Sequence, residues 1–288
     1  MRVVGEVSQT RIARRFAELA ERSELGLVAY ITAGDPTLET TEQIVLALEQ
    51  AGADIVELGV PFSDPIADGP TIQRASERAL RSGTTLAGVL ELVRRLRQKS
   101  DLPLVLFSYF NPVLQMGVER FAEQAAAAGA DGVLLTDLTP EEAAPVRPVL
   151  RAYGLDTIFL AAPTSTPERL KRLAESSTGF LYLISRTGVT GARELLPAEL
   201  PALIRRVRQA TTLPLAVGFG ISQPGHVSVL GGLADAAVVG SALVEELERA
   251  ATAEAAIAAI AERVRVLKAA ARHGMSQRTP ARPAAQEL

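Results

Sequence analysis

The chain of 288 residues contains no cysteine, which excludes disulfides, thiolate metal ligands and cysteine nucleophiles. His226 and His273 are the only histidines, so a histidine-rich metal centre is excluded as well. Lysine is nearly as scarce. Lys99, Lys171 and Lys268 all read into helical segments, which argues against lysine chemistry. The opening M-R-V-V-G-E-V-S-Q-T lacks the apolar core of a signal peptide. No apolar run is long enough to span a bilayer, and the Ala-rich segment 250–261, interrupted by Glu254, reads as a helix. Net charge is −3 with a pI near 5.6, so neither nucleic acid nor an anionic membrane surface is expected as a partner. The expectation is a soluble, cytoplasmic protein.

What is present is an alternation. Apolar runs of strand length occupy 25–32, 54–60, 102–109, 131–137, 157–162, 179–185, 213–220 and 235–241. They are rich in Val, Ile and Leu and do not alternate strictly with polar residues, as suits strands covered on both faces. Amphipathic segments at 37–52, 118–129, 141–153, 167–177, 197–211 and 222–232 lie between them and predict helices. A-G-A-D at 51–54 and 128–131, and G-L-A-D at 232–235, mark a helix end, a short turn and the next strand. Eight such units in about 250 residues predict a (β/α)8 TIM barrel. An open doubly wound sheet is the alternative, but no G-x-G-x-x-G follows the first strand. An extra N-terminal helix at 11–22 is expected to cover the barrel floor. Residues 1–275 read as a single domain and 276–288 as a polar, disordered tail.

A barrel of this kind holds its site at the C-terminal strand ends. Those ends carry Thr32, Glu57, Tyr109, Asp137, Ser185, Gly220 and Ser241. Three glycine-rich turns cluster late, at 186–193, 218–222 and 240–241, where backbone N–H groups and a helix N-terminus suit a phosphate. The segment V-E-L-G-V-P-F-S-D-P-I-A-D-G-P at 56–70 puts Glu57 in an apolar strand and Asp68 on a proline-stiffened loop. Burial would raise the pKa of Glu57 and suit it to carry a proton in both directions. Asp68 could accept a substrate N–H. Asp64 and Asp35, each beside proline, read as Asx-turn formers, and His226 as a residue of an outer helix without a catalytic part.

The longer pattern V-E-L-G-V-P-F-S-D-P-I-A-D-G-P-T-I-Q-R-A resembles the signature of the tryptophan synthase alpha chain family. Y-I-T-A-G-D-P, S-Y-F-N-P-V-L-Q-M-G, Y-L-I-S-R-T-G-V-T-G, V-G-F-G-I-S and V-V-G-S-A-L-V follow that family in order, over roughly residues 10 to 272. The resemblance implies retro-aldol cleavage of indole-3-glycerol phosphate to indole and glyceraldehyde 3-phosphate, without metal or cofactor. It makes Glu57 the acid and base, and Asp68 the acceptor of the indole N–H. It gives the phosphate to Gly191, Gly220, Gly240 and Ser241. It lines the pocket with Tyr30, Phe107, Tyr182 and Phe219, and sets Thr190 against the catalytic aspartate. Phe107 is a departure, because a smaller aliphatic residue also occurs there. The resemblance further implies a tryptophan synthase beta chain as partner, in an alpha2-beta2 tetramer, with pyridoxal phosphate only in that partner. Loops 61–70 and 185–196 would close over substrate, with Gly188 and Gly191 as hinges and Asp64 against the partner. Two competing functions remain: a non-catalytic activator of a beta chain, and another sugar-phosphate barrel enzyme.

Overall fold

The computed structural model describes residues 10–185, 196–218 and 220–273. Helix α1 (Arg11–Glu21) leads into β1 (Gly26–Thr32), α2 (Leu38–Ala51), β2 (Ile55–Gly59), α3 (Pro70–Arg81), α4 (Leu86–Arg97) and β3 (Leu104–Ser108). There follow α5 (Phe110–Met116), α6 (Val118–Ala128), β4 (Gly132–Leu135), α7 (Val146–Ala152), β5 (Asp156–Ile158), β6 (Leu160–Ala161) and α8 (Pro167–Ser176). The remainder is β7 (Leu181–Ile184), α9 (Leu200–Arg208), β8 (Leu215–Gly218), α10 (Pro224–Leu230), β9 (Ala236–Val239), α11 (Ser241–Arg249) and α12 (Ala253–His273). Strands pair in parallel in the order β5-β4-β3-β2-β1-β9-β8-β7-β6.

The two ends of that order, β5 and β6, are neighbours in the chain and are separated only by Phe159. The apolar run 157–162 is therefore one stave interrupted at a single residue, and the Phe159 carbonyl still accepts the Tyr182 N–H at 3.1 Å. The eight expected staves are present, and the sheet forms a nearly closed TIM barrel. The crossover from β2 to β3 holds two helices, α3 and α4, neither of which the sequence reading assigned. Lys99 stands just beyond α4 rather than within a helix.

The A-G-A-D turns show why the chain folds this way locally. Gly52 and Gly129 end α2 and α6 with φ of 102° and 95°, a left-handed conformation that a side chain would strain. The aspartate that follows then serves the sheet. Asp54 accepts the Leu27 N–H at 2.7 Å, Asp131 the Leu104 N–H at 2.8 Å, and Asp235 the Leu215 N–H at 2.7 Å. Each carboxylate occupies a backbone donor at the N-terminal end of a neighbouring strand, a group that burial would otherwise leave unpaired.

Inside the barrel a second core packs Val28, Ile55, Val105, Leu134, Ile158 and Phe180 against α1. Ile12, Phe16 and Leu19 are the buried face of that helix, and the Phe16 and Phe180 rings lie 5.8 Å apart. Polar contacts fix the same helix to the strand starts: Thr10 Oγ1 donates to Asp156 at 2.7 Å, and Arg11 pairs with Asp131 at 3.0 Å. The N-terminal helix closes the floor, and the open end of the interior lies at the C-terminal strand ends.

Candidate active site

Alternation along the strands decides which side chains face the interior. On β2, Ile55 belongs to the inner core and Val56 and Leu58 to the outer one, so Glu57 shares the inner face with Ile55. Tyr30 of β1 stands opposite Glu57, and Val105 of β3 flanks it on the other side. Tyr30 meets Phe107 edge to face, with centroids 5.1 Å apart. Two glycines make room for the tyrosines. A Cβ on Gly59 would lie 2.2 Å from the Tyr30 hydroxyl, and one on Gly218 would lie 2.2 Å from that of Tyr182.

Glu57 has no accessible surface, and neither carboxylate oxygen has a hydrogen-bond partner. Burial without a counter-charge pushes its pKa up to about 8, so the side chain is a neutral acid at neutral pH. Asp68 is half-buried on the loop that ends at α3. Burial raises its pKa to about 6, and the Tyr109 hydroxyl, donating to Asp68 Oδ2 at 3.0 Å, opposes that rise. The same hydroxyl accepts the Ala67 N–H at 2.9 Å, and the Tyr109 ring lies 5.1 Å from that of Phe62. Pro70 opens α3 immediately after the Gly69 cap, which fixes the point where the loop becomes helix. The two acids therefore differ: one carries a proton, and the other ionises more readily and is held by a donor.

Both acids line an open cleft, together with Tyr30, Phe107 and Tyr182. Its other wall is built from Gly220, Gly240 and Ser241. Gly220 has φ of 88°, and Gly240 caps α11, whose first residue is Ser241. The first residues of that helix line the cleft, and the positive end of a helix is suited to an anion. The structure thus brings together eight of the residues expected from the sequence: Tyr30, Glu57, Asp68, Phe107, Tyr182, Gly220, Gly240 and Ser241. Thr190, Gly191, Phe219 and the hinge position Gly188 lie outside the described residues.

Other expectations change. Asp35 is not an Asx-turn former: it is 1% exposed, and Arg78 of α3 holds both its oxygens at 2.8 and 2.7 Å. The carboxylate of Asp64 takes the Ser63 hydroxyl, while its carbonyl accepts the Ile66 N–H at 2.9 Å. Asp137, at a strand end, accepts the Phe110 N–H at 2.7 Å and so secures the start of α5. His226 lies on α10 as expected, but buried, with Nδ1 accepting the Ser222 N–H at 3.3 Å. The sequence reading did not single out Tyr109 as the partner of Asp68, nor Ile72, Ile221, Ser222 and Val238 as cleft residues. Ile72 stands in the first turn of α3, four residues beyond Asp68.

The profile of the tryptophan synthase alpha chain family matches residues 16–272. The tryptophan synthase alpha chain of Solibacter usitatus is 58% identical over 240 residues, covering 83% of this chain and 90% of its own. That of Geobacter sp. strain M21 is 56% identical over the same length, with the same coverage. Among solved structures, tryptophan synthase subunit alpha from Legionella pneumophila superposes with a TM-score of 0.86 at 38% identity, over 92% of this chain and 100% of its own. By sequence and fold together, the chain belongs to the tryptophan synthase alpha chain family.

Proposed function

We infer that the chain cleaves indole-3-glycerol phosphate to indole and D-glyceraldehyde 3-phosphate, the alpha reaction of tryptophan synthase in L-tryptophan biosynthesis. The observation that carries this reading is Glu57, an acid buried in the cleft wall with no partner of its own. Cleaving a carbon–carbon bond to an aromatic ring requires the ring carbon to be protonated first. Glu57 delivers its proton to indole C3 and generates a cationic indolenine. Asp68 accepts the ring N–H and stabilises that positive charge. The Glu57 carboxylate then takes the proton of the side-chain hydroxyl. As the aldehyde carbonyl forms, the electrons of the breaking bond return to the ring and restore neutral indole. A positioned proton carrier contributes roughly 10²–10⁴-fold to such a step.

The phosphate supplies binding energy remote from the reacting carbon. Gly220, Gly240 and Ser241 hold it in this reading, with Gly191 completing the contacts from the loop after β7. Tyr30, Phe107, Tyr182 and Phe219 enclose the indole, and Thr190 meets Asp68 when that loop closes. The chemistry uses side chains of this chain alone and needs no cofactor. The partner is a tryptophan synthase beta chain, which carries pyridoxal phosphate, and the assembly is an alpha2-beta2 tetramer in the cytoplasm. No helix among the described residues is long and apolar enough to cross a membrane. Residues 1–275 act as one lyase domain.

The deciding experiment mixes the protein with indole-3-glycerol phosphate, alone and with its beta chain, and assays indole. Indole should appear in both, and faster with the partner. No indole in either would exclude the lyase and leave the activator reading.

A further inference from the structure

Among the described residues, buried nitrogen or oxygen atoms without a hydrogen-bond partner occur on four side chains: Glu57, Arg95, Arg147 and Ser222. Of these, Glu57 and Ser222 line the substrate cleft. The criterion that singles out the proton carrier therefore singles out one further residue, and it stands at the other wall. Ser222 is 3% exposed and lies two positions beyond Gly220.

Its backbone is held on both sides. The N–H donates to His226 Nδ1 at 3.3 Å, and the carbonyl accepts Arg263 Nη1 at 3.2 Å. Arg263 is fixed in turn by Glu246 of α11, its Nε donating at 2.8 Å. The residue is thus anchored to α10, α12 and α11 while its hydroxyl has no partner. A buried hydroxyl left unpaired destabilises the empty protein. A ligand that supplies an acceptor removes that penalty on binding, so the arrangement is preorganised for one. The acceptor-rich group at this wall is the phosphoryl end of the substrate, beside Gly220, Gly240 and Ser241.

We propose that Ser222 is a substrate-binding residue whose hydroxyl donates a hydrogen bond to a phosphoryl oxygen of indole-3-glycerol phosphate. The proposal rests on the function inferred above. Ser222→Ala removes one atom and leaves the backbone anchors in place. Glycerol 3-phosphate and indole, used separately as competitive probes, divide the ligand into its two halves. The variant should raise KM for indole-3-glycerol phosphate and Ki for glycerol 3-phosphate by about tenfold, the scale of one hydrogen bond to a charged group. Its kcat and its Ki for indole should stay within about twofold of wild type. Without ligand it should melt at the same temperature as wild type or higher, because the unpaired hydroxyl is gone. An unchanged Ki for glycerol 3-phosphate overturns the proposal. A lowered melting temperature with unchanged Ki overturns it too, since the hydroxyl would then be structural. Wild type that releases no indole would sink the parent reading instead, and the two failures are distinguishable.

Discussion

Asp54 and Glu57 stand three residues apart, one just before β2 and the other within it, and both are buried. Asp54, at the floor, accepts the Leu27 N–H and the Lys268 ammonium, each at 2.7 Å, with Arg15 at 3.5 Å. Glu57, at the open end, accepts nothing. Burial alone therefore does not make an acid catalytic. What matters is whether the protein replaces the water that burial removes. At the floor it does so with donors and cations, and the charge serves the fold. At the open end it does not, and the side chain keeps a proton that a substrate can use.

The largest expected effect tests this contrast directly. Glu57→Gln should lower turnover by roughly 10²–10⁴-fold while leaving the protein folded and binding substrate. Asp54→Asn should leave kcat within about twofold. It leaves the buried Lys268 with only the longer Glu24 pair at 3.6 Å, however, and should cost about 3 kcal/mol of stability, or roughly 6–12 °C in Tm. Indole assays and thermal unfolding on both variants decide the matter. If Asp54→Asn lost turnover as severely as Glu57→Gln, the division between floor and open end would fail.

A pH series sharpens the comparison at intermediate scale. The proposed mechanism needs Glu57 protonated and Asp68 ionised. The kcat/KM profile of the free enzyme should therefore rise through about pH 6 and fall through about pH 8. Stability carries the same signature. The folded pKa of Glu57 lies above its ordinary value of 4.5, so the folded state holds the proton more tightly. Its contribution is complete below about pH 4.5 and is lost as pH rises to about 8. Glu57→Gln removes that dependence, and its stability relative to wild type should increase across this window. A constant difference between the two from pH 5 to 8 would show that Glu57 is solvated after all.

This contrast was only partly legible in the sequence. The eight staves were, because buried parallel strands write themselves as unbroken apolar runs. So was the position of Glu57, because the strand-end rule converts a place in a run into a place in the site. Helix α3 was not assigned: its buried face is Thr71, Ile72, Ala75, Ser76 and Ala79, too small and polar to mark a stripe. A second helix in the same crossover also broke the one-strand, one-helix rhythm. The carboxylates were the hardest. A local rule made Asp35 a turn former, whereas its partner Arg78 is 43 residues away. The lack of any partner for Glu57 or the Ser222 hydroxyl is a property of the whole fold that no short segment encodes.

Asp68 lies between the two extremes, half-buried with a single side-chain donor, and it offers the smallest and finest test. Tyr109 is 41 residues from it in sequence, and its hydroxyl holds the Asp68 pKa below what burial alone would give. Tyr109→Phe keeps the ring that packs on Phe62 and removes the hydroxyl, which is the donor to Asp68 and the acceptor of the Ala67 N–H. Asp68 then moves toward the condition of Glu57. The acid limb of the kcat/KM profile should shift upward from about 6 while the limb near 8 stays in place. Activity should fall roughly 3–10-fold at pH 6 and by less as pH rises, the scale of one hydrogen bond to a half-exposed carboxylate. A uniform loss at every pH would assign Tyr109 to loop packing. A displaced acid limb would show that the number of donors around each acid, from several at Asp54 to none at Glu57, sets what that acid does.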